Sequence, residues 1–180
     1  MHTDEHEHSQ ALVAAIDRLI EGRRSEIDGI VVTRGPGHFA GLRVGIATAE
    51  GLALALGVPL AGESTLRLAA AAAGFDLVIA VHPAGRGEFA VQTFRRGEPQ
   101  GDVTLAAAAE LGGRQIAGEG AGALGGVEIG PGERVRAALS LPFEPAPDGL
   151  VVPIYAREPQ ITRSRRPLAE TKPDQPPRSP

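Results

Sequence analysis

The sequence predicts a mixed α/β protein built from two different halves, and two observations carry that prediction. The first half alternates short apolar runs with longer apolar segments of helical length, as in Gly29–Thr33 and the segment 41–56 after it. Such alternation is typical of a right-handed parallel β-α-β unit. The second half instead opens with two apolar runs in succession, Leu77–Val81 and the alternating stretch Glu88–Phe94, which is typical of antiparallel strands.

The elements of the first half follow from their start and stop signals. Ser9 is a suitable N-cap for a first helix that ends at Gly22. Val58–Gly62 predicts a second strand, and Ser64 caps a helix over Thr65–Ala73. The first half therefore has the predicted order α-β-α-β-α. The first helix carries an apolar stripe at helical spacing, formed by Leu12, Ile16, Leu19 and Ile20.

The predicted elements of the second half are shorter. A third strand is predicted over Gln100–Val103, and Thr104 is the predicted N-cap of a helix over Leu105–Leu111. Gln115–Ala117 predicts a further strand, which gives the order β-β-β-α-β. Two later segments complete this half, a short helix over Glu133–Leu139 and a closing apolar segment over Val151–Arg157.

A glycine-rich turn joins the first strand to the second helix. Gly35 and Gly37 permit backbone angles that other residues resist, and Pro36 stiffens the turn between them. A strand, a glycine loop and a helix N-terminus together offer free backbone N–H groups to an anion or to a partner chain.

The second helix is apolar on nearly all sides and carries small residues at every fourth position. We expect this face, together with the loop and Arg43, to form a subunit interface, because small residues let another helix approach closely. Arg43 should pair with a carboxylate or a carbonyl group. The alternative is that both apolar helices are covered inside the chain itself. The small-residue face consists of Gly41, Gly45, Ala49 and Ala53.

The residues around this turn resemble a known family. The stretch G-P-G-H-F-A-G-L-R-V-G, from Gly35 to Gly45, is similar to the G-P-G-S-F-T-G-L-R-x-G motif of the TsaB-type dimerisation subunit. His38 stands where the family has Ser, and Ala40 where it has Thr. The resemblance covers residues 8–158 and continues at Ala47–Ala53, Val58–Pro59, Ser64–Leu66, Gly118–Ala121 and Pro153–Arg157.

The resemblance implies a two-lobed actin-like (ribonuclease-H-like) ATPase fold. Family members open each lobe with a three-strand meander, and the first hairpin carries an Asp-containing motif that faces nucleotide phosphates. That hairpin has no counterpart here, so we expect a first lobe truncated at its N-terminus over residues 1–74 and a second lobe over 75–162. Residues 163–180 hold five prolines and a charge of +3, which predicts a disordered Pro/Arg-rich tail.

The resemblance also implies a function. Such subunits are noncatalytic and support threonylcarbamoyl transfer to a tRNA adenosine next to the anticodon, by docking to the catalytic paralogue TsaD alongside an ATPase subunit. We therefore expect no enzyme activity, no tightly bound cofactor, ATP binding only in the complex, and only indirect contact with tRNA. The isolated chain is expected to form a homodimer or to co-purify with its partner.

The main alternative is a dinucleotide-binding oxidoreductase. Gly35, Gly37 and Gly41 would hold the pyrophosphate, and Glu63 follows the next strand, where a ribose-binding acid belongs. The spacing exceeds the usual fingerprint, and Pro36 removes one donor. A catalytic triad is not predicted, because the positions of His82, Glu88 and Ser64 along the sequence do not indicate that they form one.

Composition sets the remaining limits. Because the sequence has no cysteine, a disulfide framework and a thiolate metal site are both excluded. His2 and His6 lie four residues apart, but no third metal ligand accompanies them. The N-terminus is polar, and the sequence has no signal-peptide pattern and no 18-residue apolar run, so a cytoplasmic protein away from membranes is expected. The net charge of −4, and −7 without the tail, disfavours a direct nucleic-acid footprint.

Overall fold

The computed structural model describes residues 3–157, with the backbone alone over residues 3–10. The described part is a mixed α/β structure with two sheets. Its helices are α1 (Thr3–Leu19), α2 (Phe39–Leu56), α3 (Thr65–Ala73), α4 (Ala108–Leu111) and α5 (Pro131–Ala138). Its strands are β1 (Ile30–Thr33), β2 (Leu60–Glu63), β3 (Leu77–Gly85), β4 (Glu88–Arg95), β5 (Glu98–Pro99), β6 (Thr104–Ala107), β7 (Ile116–Gly118) and β8 (Val127–Glu128).

The first sheet contains β1 and β2, which run parallel in a register from Ile30 opposite Leu60 to Thr33 opposite Glu63. This is the predicted right-handed unit, with α2 as the crossover helix. Helix α2 covers one face of the pair. The core between them is small and consists of Ile46, Ala49, Ala53, Leu60 and Val151.

The second sheet has six strands. Its main path runs β5-β4-β3-β7-β8, and β6 pairs with β4. Strands β3, β4 and β6 are antiparallel to their neighbours in this group, whereas β7 runs parallel to β3. Both faces of the sheet are covered, because alternate residues of β3, such as Val78 and Val81, belong to two separate core clusters.

Helix α3 connects the two sheets. Its N-cap is confirmed, since the Ser64 hydroxyl accepts a hydrogen bond from the Arg67 N–H at 3.4 Å. Its apolar face, including Leu66 and Ala69, packs into the core of the second sheet beside Phe94. Helix α3 therefore belongs by packing to the second sheet, although it directly follows β2. The predicted lobe boundary near residue 74 stays a prediction, and the predicted tail lies outside the described residues.

Two predicted elements were wrong. Residues Gln100–Val103 form no strand, because Gly101 has φ +97 and turns the chain between β5 and β6. Thr104 caps no helix either. Residues Thr104–Ala107 pair with the exposed edge of β4 instead, which leaves only Ala108–Leu111 helical. Local preference alone could not decide between helix and strand in this alanine-rich segment.

Helix α1 starts earlier than predicted. It begins at Thr3, so Ser9 lies inside the helix rather than at its cap.

Helix α2 is long and apolar enough to cross a membrane by length and composition. It is the one such helix among the described residues, with a mean hydropathy of 1.4 over 18 residues, of which 22% are buried. The prediction that the sequence has no 18-residue apolar run was therefore wrong. The helix contains two charged residues, Arg43 and Glu50, and the Glu50 carboxylate accepts a hydrogen bond from the Val151 N–H at 3.0 Å. That bond ties the helix to the closing segment of the chain.

Candidate functional site

The glycine turn after β1 is tied to two other parts of the chain, the start of α3 and the closing segment. The Gly35 carbonyl accepts a hydrogen bond from the Thr65 N–H at 2.8 Å, and the Arg34 carbonyl accepts one from the Ile154 N–H at 2.6 Å. Gly35 has φ +104, and a Cβ there would collide with the Ile154 carbonyl oxygen. A glycine is thus required because the closing segment crosses directly over the turn.

Two of the predicted interface residues in this turn are buried. Gly35 and Pro36 lie inside the chain, under the closing segment, and their role here is to seat that segment. Gly37 is partly exposed and faces the interior of a cleft, with His82 Nε2 3.8 Å from the position of its Cβ. His38 is the N-cap residue of α2 and makes no side-chain capping bond.

The small-residue face of α2 divides into two parts. Ala49 and Ala53 are each 7% exposed and pack in the core of the first sheet, so the chain itself fills this part of the predicted interface. Gly41 is exposed, and Gly45 has no atom within 4 Å of its Cβ position. The N-terminal half of the face is therefore open, whereas the C-terminal half is core.

Arg43 does not pair as predicted. Its guanidinium lies over the ring of Phe39, 5.4 Å from the centroid, and Phe39 in turn stacks on Tyr155 at 5.0 Å. A cation–π contact suffices because Arg43 is exposed and water solvates its charge. This aromatic pair was not predicted, although Phe39 stands inside the motif that resembles the family.

Apolar side chains of α1 and α2 remain exposed, and one of them, Leu12, borders the same cavity as Gly45. Helix α1 packs loosely, and its Leu12, Val13 and Leu19 are 37%, 49% and 78% exposed. On the outer side of α2, Leu54 is 86% exposed. This combination is typical of a surface that another protein covers.

A cleft of about 720 Å³ lies between the two sheets. At its inner end Arg134 donates to the Ile129 carbonyl at 3.1 Å and to the Glu119 carboxylate at 3.2 Å. His82 Nδ1 lies 3.6 Å from the same carboxylate, buried and without a hydrogen-bond partner. Burial lowers the pKa of His82, and the Arg134 charge lowers it further, while the Glu119 charge opposes both.

The charged neighbours of His82 are Glu119 and Arg134, not Glu88. Glu88 pairs with Arg157, and Ser64 caps α3. Both residues that were weighed with His82 for a catalytic triad therefore have other partners. Glu119 could have been found, because it stands in the Gly118–Ala121 segment that resembles the family. Arg134 had no sequence signal, since only the packing of α5 brings it to the cleft.

A second backbone turn, after β7, holds a carboxylate of its own chain. The N–H groups of Gly120 and Gly122 donate to the two oxygens of Glu128 at 2.9 and 3.0 Å. These two bonds lower the pKa of Glu128. The turn is therefore an anion-binding turn that is already occupied.

The dinucleotide alternative is not supported. Glu63, the expected ribose ligand, is 9% exposed and forms an ion pair with Arg67 at 3.0 Å, so its carboxylate is already engaged. No group of three or more histidine, cysteine, aspartate or glutamate side chains able to hold a metal occurs among the described residues. His2 lies outside the described residues, and of His6 only the backbone is described.

Comparisons with known proteins agree with this fold. A family model described as TsaD: tRNA N6-adenosine threonylcarbamoyltransferase matches residues 3–117. The tRNA threonylcarbamoyladenosine biosynthesis protein TsaB of Escherichia coli K12 is 33% identical over 99 residues, 51% of this chain and 43% of that protein. A tRNA N6-adenosine threonylcarbamoyltransferase of Geotalea uraniireducens is 58% identical over 38 residues, 21% of this chain and 11% of that protein.

A solved structure extends the likeness to most of the chain. The crystal structure of an uncharacterized protein with similarity to peptidase YeaZ, from Pseudomonas aeruginosa, superposes with a TM-score of 0.65 at 23% identity. It covers 83% of this chain and 84% of that chain. The two curated relatives are matched over less than half of their own length. The chain belongs to the TsaD family, with its actin-like fold, and within that family it is a TsaB-type protein.

Proposed function

We propose that this chain is a noncatalytic subunit in the biosynthesis of threonylcarbamoyladenosine in tRNA, and that it docks to a TsaD-type catalytic paralogue and stabilises it. The likeness to TsaB supports the pathway. The observation that carries the docking role is the open half of α2, where Gly41 and Gly45 leave room for a partner helix beside exposed apolar residues of α1. An ATPase subunit completes the complex, which works in the cytoplasm.

The proposed partner surface is narrower than the one predicted from the sequence. It comprises Gly41 and Gly45 on α2, together with Leu12 on α1, which borders the same cavity as Gly45. Arg43 lies on another face of the helix, over Phe39. The buried Ala49 and Ala53 support it from beneath rather than touching the partner. Contact with tRNA is indirect, because the sequence apart from its basic tail carries a net charge of −7.

We also propose that the chain alone binds no nucleotide tightly, and that ATP is bound only in the complex. The N–H groups of the turn after β7 are occupied by Glu128, and a second anion would have to displace that carboxylate. Titration calorimetry of the isolated protein with ATP and Mg²⁺ should give no saturable heat at micromolar concentrations. A dissociation constant in the low-micromolar range would contradict this part of the proposal.

The docking role is tested by Gly45→Leu. A leucine side chain there fills the open space, so a partner helix must move outward, and overpacking of this kind costs roughly 1–3 kcal/mol. We expect capture of the TsaD-type paralogue to weaken by about tenfold or more, since each 1.4 kcal/mol is a factor of ten. The melting temperature should change little, because the chain's own atoms leave this position free.

Gly51→Leu is the matched control. Gly51 lies in the same helix, is exposed, and also has open space at its Cβ position, but it stands outside the proposed partner surface. Its leucine variant should gain the same helix propensity and retain full capture. If Gly45→Leu captures the paralogue as strongly as the wild type does, the interface does not lie on this face of α2.

A further inference from the structure

We propose that residues 167–170 of this chain, Pro-Leu-Ala-Glu, bind in an aromatic groove of the same chain beside the start of α2. The groove is a cavity of about 180 Å³ between the glycine turn after β1, the β3–β4 hairpin and the closing segment. None of its lining residues lies on α1 or β1, and it shares no residue with the partner surface proposed above. The inference is therefore independent of the proposed function. The groove is lined chiefly by Pro36, Phe39, Pro83, Ala90, Tyr155 and Arg157.

Two aromatic rings border the groove and remain exposed. Phe39 is 39% and Tyr155 is 37% exposed, and their ring centroids lie 5.0 Å apart. The sequence has only five phenylalanines, one tyrosine and no tryptophan, so abundance of aromatics does not explain two exposed rings side by side. Surfaces that combine aromatic rings with an apolar groove are those on which extended proline-containing segments pack.

Contacts within the chain hold the groove in place before anything binds. The Ile154 N–H donates to the Arg34 carbonyl at 2.6 Å, which fixes the segment carrying Tyr155 over the glycine turn. At its far end, the segment is joined to the start of β4 by the ion pair between Arg157 and Glu88. Because these walls are already ordered, only the occupant loses conformational freedom on binding.

The size and lining of the groove indicate the kind of occupant. Its volume lies below the roughly 300 Å³ of small-molecule sites, so it suits one or two side chains. The one charged residue that lines it, Arg157, is neutralised by Glu88, and the rest of the lining is uncharged. Beside the groove the exposed Arg43 lies over Phe39 and forms no ion pair with any described residue. The complementary occupant is an apolar side chain with a carboxylate close behind it.

Residues 167–170 have this chemistry. Leu168 is the only large aliphatic residue between positions 163 and 180, and Pro167 before it restricts the backbone to the extended polyproline range. Glu170 follows two positions later, about 6 Å further along such a segment. That spacing matches the 5.4 Å between the Phe39 ring and the Arg43 guanidinium. Glu170 would thus reach Arg43 when Leu168 lies against the rings.

The connection along the chain favours this segment over a partner protein. Arg157 lines the groove, and the nine residues 158–166 that follow it can span roughly 30 Å when extended, which is ample for a return to the groove. A short tether gives a local concentration on the order of millimolar, so a weak contact suffices. The three arginines of this connection need not approach Arg43. A segment with so few apolar residues gains order only against a preformed surface.

The fluorescence of Tyr155 tests the proposal in the full-length protein. Because the sequence has one tyrosine and no tryptophan, emission excited at the tyrosine band comes from the groove alone. Leu168→Asp should raise the acrylamide quenching constant about twofold, since the exposed side of the ring loses its cover. Gln175→Asp is the matched control, because it introduces the same charge in the same region of the sequence and should be quenched like the wild type.

A charge exchange tests the contact between Glu170 and Arg43. Arg43→Glu and Glu170→Arg should each raise quenching, and the double variant should return to the wild-type value because the ion pair forms again in reverse. Equal quenching in Leu168→Asp and Gln175→Asp, or no recovery in the double variant, would overturn the proposal. Protection of Tyr155 that increases with protein concentration would assign the groove to a second copy and overturn it as well. Neither result bears on capture of the TsaD-type paralogue.

Discussion

The two sheets of this protein differ in how completely their own chain covers them. The first sheet has two strands, one covering helix and a core of five buried residues. The second has six strands and buried clusters on both faces. Its core includes Phe94, which is 2% exposed, and Leu66, which is fully buried. The difference predicts that the second sheet carries most of the stability, while apolar side chains of α1 and α2 beside the first sheet stay exposed.

The alanine content of α2 and α3 has opposite consequences in the two halves. In α3, Ala69 and Ala70 are buried against the broad second sheet, so small side chains allow the helix to lie close to the strands. In α2, only one stripe of residues packs on a sheet, and Ala47, Gly51 and Leu54 remain exposed. The same composition thus produces a buried helix where a wide sheet is available and a half-exposed helix where it is not.

The largest expected loss of stability comes from truncating a large side chain in the core of the second sheet. Phe94→Ala should lower the free energy of unfolding by about 3–5 kcal/mol, because it removes an aromatic ring from a site with no room to relax. Urea unfolding followed by circular dichroism measures this change. The whole described part of the variant should unfold at a lower urea concentration than the wild type, because α3 links both sheets.

The matched change in the first sheet should cost less. Leu60 is as buried as Phe94, at 2% exposure, but its core has five members and an open side. Leu60→Ala should therefore lower the free energy of unfolding by about 2 kcal/mol, at the lower end of the range for such truncations. If Leu60→Ala proves at least as costly as Phe94→Ala, the stability is shared equally between the sheets and the comparison fails.

The smallest expected effect is a pH dependence that comes from the cleft between the sheets. Because burial lowers the pKa of His82, the folded state resists protonation that the unfolded chain accepts. The contribution of His82 is thus complete above its ordinary pKa of about 6.5 and is lost as the pH falls through the lower value of the folded state. The melting temperature should fall more steeply below pH 6.5 in the wild type than in His82→Asn.

His38→Asn is the control for this measurement, since it makes the same substitution at an exposed position at the start of α2. Identical pH profiles for the wild type and His82→Asn would mean that the folded protein accepts a proton at His82 as readily as the unfolded chain does, which contradicts the prediction.

Much of the fold was predictable because local signals agreed with the tertiary structure. Apolar runs with clear stop signals gave β1, α2, α3 and β4 within a few residues, and the Ser64 cap was found where it was predicted. The family motif around Gly35 identified the segment that organises the first half. Its glycine, however, proved to serve the crossing of Ile154, a contact between residues far apart in the sequence.

The sequence by itself determined the composition of each helix and the motif that places the chain in its family. Only the tertiary structure decided which face of α2 is core, because Ala49 and Gly45 look equally small in sequence and differ only in what lies opposite them. It also decided that Thr104–Ala107 is a strand, since the open edge of β4 offered hydrogen bonds that local preference could not reveal. It alone brought Arg134 and Glu119 to His82, because side chains on α5 and after β7 meet only when both pack beside β3.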